Sequence, residues 1–217
     1  MRGDKLIINE NHKKSAKMIA DVVVPEIKNC ETKYAITIAG ESGSGKSETA
    51  QTLKDELAKY DIKTYIFQQD DYFVYPPKTN AKKRKENIEH VGTSEVKINL
   101  LDKHLLSFIN GDKKLTKPLV DFNKDEVLSE TVNLSEYKVA IAEGTYTTAL
   151  DNAHTRIFID RNYFDTKKSR AERSREKQDQ FLEKILTIEH EIIRKQRERA
   201  HLIITKDYEL KNLKSHE

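Results

Sequence analysis

Strand-like apolar runs alternate along this chain with stretches in which apolar positions recur every three or four residues. Ala35 to Ala39, Ile62 to Phe67, Val139 to Ala142, Arg156 to Ile159 and Leu202 to Ile204 read as strands, the last three with buried-strand character most clearly. Helical spacing joins Met18, Ile19, Val22 and Val23 in a first segment, roughly Asn11 to Asn29, which Pro25 is expected to kink or end. A second helix, Ser47 to Tyr60, carries Ala50, Leu53 and Leu57; a third carries Ile98, Leu101, Leu105, Phe108 and Ile109 and stops at Asn110-Gly111, as a helix with a left-handed cap does. Leu115 to Phe122 and Glu130 to Leu134 predict a hairpin-like excursion. Gln68 to Val96 shows no period, and so long a connection is expected to be a functional or disordered loop.

Strands alternating with helices predict a mostly parallel five-stranded sheet covered on both faces, an α/β chain of three layers. Ligands of such a sheet bind at the carboxyl ends of its strands. The chemistry should therefore be sought just after each apolar run.

After the first strand stands Gly40-Glu41-Ser42-Gly43-Ser44-Gly45-Lys46-Ser47, which completes the pattern G-x-x-x-x-G-K-[ST] between a strand and a helix. Its glycines let the backbone wrap an anion, so that N–H groups and the following helix N-terminus hold a β-phosphate. Lys46 reaches the β- and γ-phosphates, and the Ser47 hydroxyl ligates Mg²⁺. Glu48, next in line, sits where a carboxylate would repel phosphate and is expected to turn away or pair with a cation, although helix starts also favour acids. The motif predicts binding of a nucleoside triphosphate.

Two acids follow later strands. Asp70, in Gln68-Gln69-Asp70-Asp71-Tyr72-Phe73, would face the phosphate loop, where it could accept a hydroxyl proton, contact Mg²⁺, or cap a turn. Glu143 ends the strand Val139 to Ala142, at the place of an acid that assists a metal or caps a helix. Arg170 and Arg173 lie three apart, with Arg175 nearby, and on a helix would share a face able to fold over a triphosphate. Arg194, Arg197 and Arg199 are expected to be solvated or paired with Glu191 and Glu198. His190-Glu191-Ile192-Ile193-Arg194 lacks the second histidine of a zinc helix, and Asn123-Lys124-Asp125-Glu126 lacks the final aspartate of a guanine-reading motif.

The 217 residues suffice for one α/β domain. A net charge of +3 does not suggest strong nucleic-acid binding. Cys30 is the single cysteine and reads as incidental, and neither a signal-peptide pattern nor an apolar run near eighteen residues occurs. A cytoplasmic protein, without membrane partners and free to form a homo-oligomer, is expected.

The order of these motifs resembles the uridine kinase and phosphoribulokinase family of P-loop kinases. Gln69-Asp70-Asp71-Tyr72-Phe73 is similar to that family's Gln-Asp-Ser-Phe-Tyr, and Val120-Asp121-Phe122, Ile141-Ala142-Glu143-Gly144 and Phe158-Ile159-Asp160 follow in turn. The resemblance implies a P-loop NTPase fold in one domain, 1–217, with a helical lid near 161–200 and an acceptor-side insertion near 70–135. It implies ATP and Mg²⁺ as cofactors, Asp70 as catalytic base, Ser47, Asp70 and Glu143 around the metal, and Arg170 and Arg173 as lid arginines beside Lys46. Tyr72, Glu89, Asp121 and Asp125 fall at acceptor-pocket positions. Glu89-His90-Val91 replaces the family's Asp-His-Pro, Val120 replaces a tyrosine, and Asp125 stands where a histidine reads the pyrimidine. An aspartate reverses the donor and acceptor pattern offered to a base, which turns the expectation from uridine or cytidine towards a polyol or amine-bearing hydroxyl acceptor. Lys82 to Lys85 would favour an anion only if their loop closes over the site.

Two other readings remain at this level. One is a regulatory nucleotide-hydrolysing switch, disfavoured by the missing guanine motif. The other is a nucleic-acid end kinase using the basic clusters, disfavoured by the small net charge.

Overall fold

The computed structural model describes residues 6–173 and 179–214, with side chains given to residue 171 in the first stretch. Its centre is a six-stranded sheet in the order β2 (Thr64–Gln68), β5 (Val139–Glu143), β1 (Tyr34–Gly40), β6 (Thr155–Ile159), β7 (Leu202–Ile204) and β8 (Leu210–Asn212). Five strands are parallel, as the alternation with helices predicts. The sixth, β8, pairs antiparallel with β7 at the edge. Three residues, two of them exposed, leave no apolar run for a sequence reading to detect, which is why five strands were expected.

Every residue of β1 is buried. Its side chains alternate, so Ile36 and Ile38 join one core and Ala35 and Ala39 the other. The first core lies under α1 (Glu10–Asn29) and α2 (Lys46–Ala58); the second lies under α4 (Ile98–Ile109) and the end of α6 (Gln180–Gln196). Three layers result, each helix covering the sheet with one apolar stripe.

Helix α1 starts at a reciprocal cap: Asn9 accepts the His12 backbone N–H at 3.2 Å, and His12 Nδ1 accepts the Asn9 N–H at 3.2 Å. Pro25 neither ends nor replaces this helix, which continues to Asn29. Its ring lies on the exposed face, where water can satisfy the carbonyl it frees, while Val23, Val24 and Ile27 stay buried behind it. Truncating Ile19, wholly buried in this core, would cost about 2–5 kcal/mol.

The segment 68–96 is structured. A 3-10 turn spans Gln69–Tyr72, helix α3 runs from Pro77 to Glu86, and two further 3-10 turns follow. Only Asn80 of α3 is buried, so the helix has no apolar stripe for periodicity to reveal. It is held by its ends and by polar contacts instead. Strands β3 (Lys114–Asp121) and β4 (Glu126–Asn133) form the expected hairpin. A buried ion pair ties it to the turn after β2: Lys117 Nζ lies 2.9 Å from Asp71, which also accepts the Val120 N–H at 3.0 Å.

Candidate active site

Strands β1, β2 and β5 end side by side, with Gln68 in register with Glu143 and Ile38 with Glu143 across the other edge. The phosphate loop, the turn carrying Asp70, and Glu143 are therefore delivered to one edge of the sheet. Gly45 closes the loop at a φ of 97°, a backbone that side chains disfavour; an added Cβ would also lie 2.8 Å from His12 Nε2. Helix α2 then begins with no side-chain cap, which leaves its first N–H groups to an anion. Lys46 Nζ donates to the Glu41 carbonyl at 3.0 Å, and the buried Ser44 hydroxyl has no hydrogen-bond partner among the described residues.

Glu143 is 5% exposed and accepts a hydrogen bond from Ser47 Oγ at 3.1 Å. Burial, then the negative charge of Asp70, pushes its carboxyl up to about 7, against the pull of Lys46 and Ser47. Ser47, Glu143 and the nearby Asp70 would offer an all-oxygen donor set. Such a set suits Mg²⁺.

Asp70 is half-buried and lines a cavity of about 300 Å³. Ser42, Gly43 and Thr145 form its phosphate-loop end with Asp70; Asn80 and Arg84 of α3 and Glu189 of α6 line it as well. Arg170, on α5 (Lys167–Arg173), is buried rather than solvated. Its guanidinium donates to the Tyr163 carbonyl and to Thr166 Oγ1, each at 2.6 Å, while its aliphatic stem covers Gly43. The side chain of Arg173, and Arg175 altogether, lie outside the described residues.

Two acids, Glu41 inside the loop motif and Glu48 just after it, are engaged elsewhere in the fold. Glu41 is buried, accepting the Tyr163 N–H at 2.6 Å and contacting His190 Nδ1 at 2.6 Å. Glu48 is buried and accepts the Ile7 N–H at 3.3 Å.

The four expected acceptor residues do not line the cavity. Tyr72 is fully buried and its hydroxyl pairs with His104 Nδ1 at 2.8 Å, because the 3-10 turn after β2 aims it into the core under α4. Glu89 is exposed on its own 3-10 turn. Asp121 accepts the N–H groups of Asn123 and Lys124, closing the hairpin turn. Asp125, at a φ of 57°, caps α3 by accepting the Lys78 N–H at 2.6 Å, the Thr79 N–H at 3.1 Å and the Thr79 hydroxyl at 2.7 Å. Burial pushes its pKa up, but these hydrogen bonds outweigh it and hold the carboxyl below its usual range.

A different set takes their place. Arg84 is bidentate to Glu95, with Nη2 2.9 Å from Oε2, and the same Nη2 reaches Glu189 Oε1 at 3.0 Å. Asn80 Nδ2 donates to Glu95 Oε1 at 2.8 Å, and His90 Nε2 lies 3.0 Å from Asn80 Oδ1. Of the basic cluster, Lys82 and Lys85 are solvated while Arg84 turns inward. Local pattern could not single these residues out, since Arg84, Glu95 and Glu189 come from three separate elements. Arg197 and Arg199 likewise pair with Asp160 and Asp151 across the fold rather than with Glu198; Arg194 does pair with Glu191, at 2.9 Å.

Known proteins resemble this chain in sequence and in fold. A bifunctional alpha-galactosidase/sucrose kinase AgaSK of Mediterraneibacter gnavus is 27% identical over 193 residues, 82% of this chain and 21% of that protein. A uridine kinase of Ureaplasma parvum is 30% identical over 119 residues, 54% of this chain and 56% of its own length. The chain thus spans about a fifth of the first relative and about half of the second. The structure of a possible uridine kinase from Bacillus stearothermophilus superposes with a TM-score of 0.65 at 17% identity, covering 88% of this chain and 97% of that one. No described helix is long and apolar enough to cross a membrane. The family model of phosphoribulokinase and uridine kinase matches residues 35–207, from the first core strand past the last parallel one, and the chain belongs to that family.

Proposed function

We propose that this protein is an ATP-dependent kinase that transfers the γ-phosphate to a hydroxyl of a small molecule other than uridine or cytidine. One observation carries the reading: Asp70 and the phosphate loop line the same cavity as polar residues from α3 and α6. A terminal phosphate and an alcohol could therefore meet beside one carboxylate.

In this reading the loop N–H groups and the α2 N-terminus hold the phosphates, and Lys46 leaves the Glu41 carbonyl to bind the β- and γ-oxygens. Asp70 accepts the proton of the attacking hydroxyl. Ser47, Asp70 and Glu143 would hold Mg²⁺, which when bound supplies positive charge for the phosphate oxygens. Arg170, packed on Gly43, places its guanidinium near the loop and, with Arg173 of the same helix, balances charge as it moves to the leaving oxygen. Helices α5 and α6 serve as the lid that excludes water from the transfer.

The test is a nucleotide-consumption screen over nucleosides, sugars, alditols and other alcohols, with product masses measured. A phosphorylated alcohol is the expected result. ATP hydrolysis that no alcohol stimulates would instead favour a regulatory switch.

A further inference from the structure

The wall of the cavity contributed by α3 and α6 is built in tiers. Glu95 is wholly buried and its carboxylate is filled by Asn80, Arg84 and the Gly92 N–H at 2.9 Å. That locks the Arg84 guanidinium, because a bidentate pair fixes both position and plane. Arg84 in turn contacts Glu189, with both side chains 11% exposed and both lining the cavity. Facing an incoming ligand is thus a carboxylate acceptor beside a guanidinium donor, held in place from behind.

Such a pair matches neighbouring hydroxyls. One hydroxyl donates to the carboxylate while the oxygen of the next accepts from the guanidinium, so a vicinal diol satisfies both at once. Phe73, Phe122, Leu182 and Leu186 give the same cavity an apolar surface, suited to the C–H face of a sugar ring. Charge argues against an anionic acceptor. On the α3 side Arg84 is already matched by the carboxylates of Glu95 and Glu189, and Lys78 is exposed and donates to the Asn123 carbonyl, so neither gives an anionic group an unmatched cation.

We infer that the acceptor is a neutral polyol, a sugar or glycoside, whose vicinal hydroxyls are read by Glu189 and Arg84, with Asn80 and Glu95 as positioning residues behind them. This rests on the kinase reading for the reaction but not for the binding. Because Glu189 belongs to α6, the acceptor also supplies a bridge between that helix and α3.

The experiment has two arms. In the first, thermal shifts of the nucleotide-free protein are measured with neutral mono- and disaccharides, alditols, pyrimidine nucleosides, a sugar phosphate and a hydroxy acid; in the second, the same panel is assayed for transfer from ATP. Stabilisation by, and transfer to, a neutral sugar or alditol is expected. Glu189→Gln should then raise the acceptor KM about 10–100-fold, as losing a charged hydrogen-bond partner does. Its ATP KM should stay within about twofold, since the change is in ground-state acceptor contacts. Arg84→Lys, which retains a cation against Glu95, should behave like Glu189→Gln, and Lys85→Ala, on the solvated side of α3, should match the parent. Transfer to a nucleoside or an anionic acceptor while every neutral polyol fails would overturn the inference and leave the kinase standing. So would an unchanged acceptor KM in Glu189→Gln. If nothing on the panel is phosphorylated, the kinase reading falls, and the thermal shifts alone decide the pocket: no response to any neutral polyol overturns it.

Discussion

Glu41 of the phosphate loop and His190 of α6 meet at 2.6 Å, one residue along the helix from Glu189 in the cavity wall. A single turn of α6 thereby touches both the phosphate-loop motif and the cavity. Glu41 further accepts the Tyr163 N–H, so the loop is tied to the chain on either side of α5.

Breaking that tie should loosen lid closure rather than remove chemistry. With a partly buried hydrogen-bonded contact contributing about 1 kcal/mol, His190→Ala is expected to raise the ratio of wasteful ATP hydrolysis to phosphoryl transfer by several-fold. Hydrolysis measured with and without acceptor checks this, and an unchanged ratio would assign the pair a purely structural role.

Asp70→Asn should retain nucleotide binding and lose about 10²–10⁴ in kcat, the range for a missing general base. Binding of a fluorescent ATP analogue and single-turnover transfer separate the two. Equal turnover by the variant would remove the base assignment.

Glu143 makes stability fall as pH rises. Its carboxyl is raised from 4.5 to about 7, mainly by burial and then by Asp70, so the folded state binds the proton more tightly than the unfolded one. The cost is absent below pH 4.5, grows between 4.5 and 7, and is complete above, at roughly 3 kcal/mol as an order of magnitude. Urea denaturation without nucleotide or divalent cations should show Glu143→Gln closing most of the difference between pH 5 and pH 7.5. A parallel pH dependence in both proteins would contradict it.

Asp125→Ala should act on folding. It removes the cap of α3 and places alanine at a φ of 57°, for a combined cost of about 1–3 kcal/mol. Asp125→Asn, which can cap and tolerates this backbone, should recover most of the loss. Chemical denaturation reads the stabilities. An acceptor KM raised strongly in both variants, with stability intact, would return Asp125 to the acceptor pocket.

Strands and the phosphate loop were legible because their signals are local. A run such as Ala35 to Ala39 is buried on both faces and therefore apolar throughout, and the loop needs its glycines, Lys46 and Ser47 at fixed spacing to surround an anion. Helix α3 was not, since it is anchored by Asp125 and by Arg84 rather than by an apolar stripe. The acceptor positions carried over from family likeness lie away from the cavity lining for a related reason. Tyr72, Asp121 and Asp125 occupy the expected places in sequence, yet a core hydrogen bond, a hairpin turn and a helix cap take up their polar atoms.

Sequence alone determined the five parallel strands, the phosphate-loop motif and the acids at the ends of β2 and β5, because each depends on residues a few positions apart. Only tertiary structure decided which acids line the cavity. Arg84, Glu95 and Glu189 become one wall through the packing of α3, a 3-10 turn and α6, and a contact such as Arg84 to Glu189, 105 residues apart, leaves no mark in the local pattern of either segment.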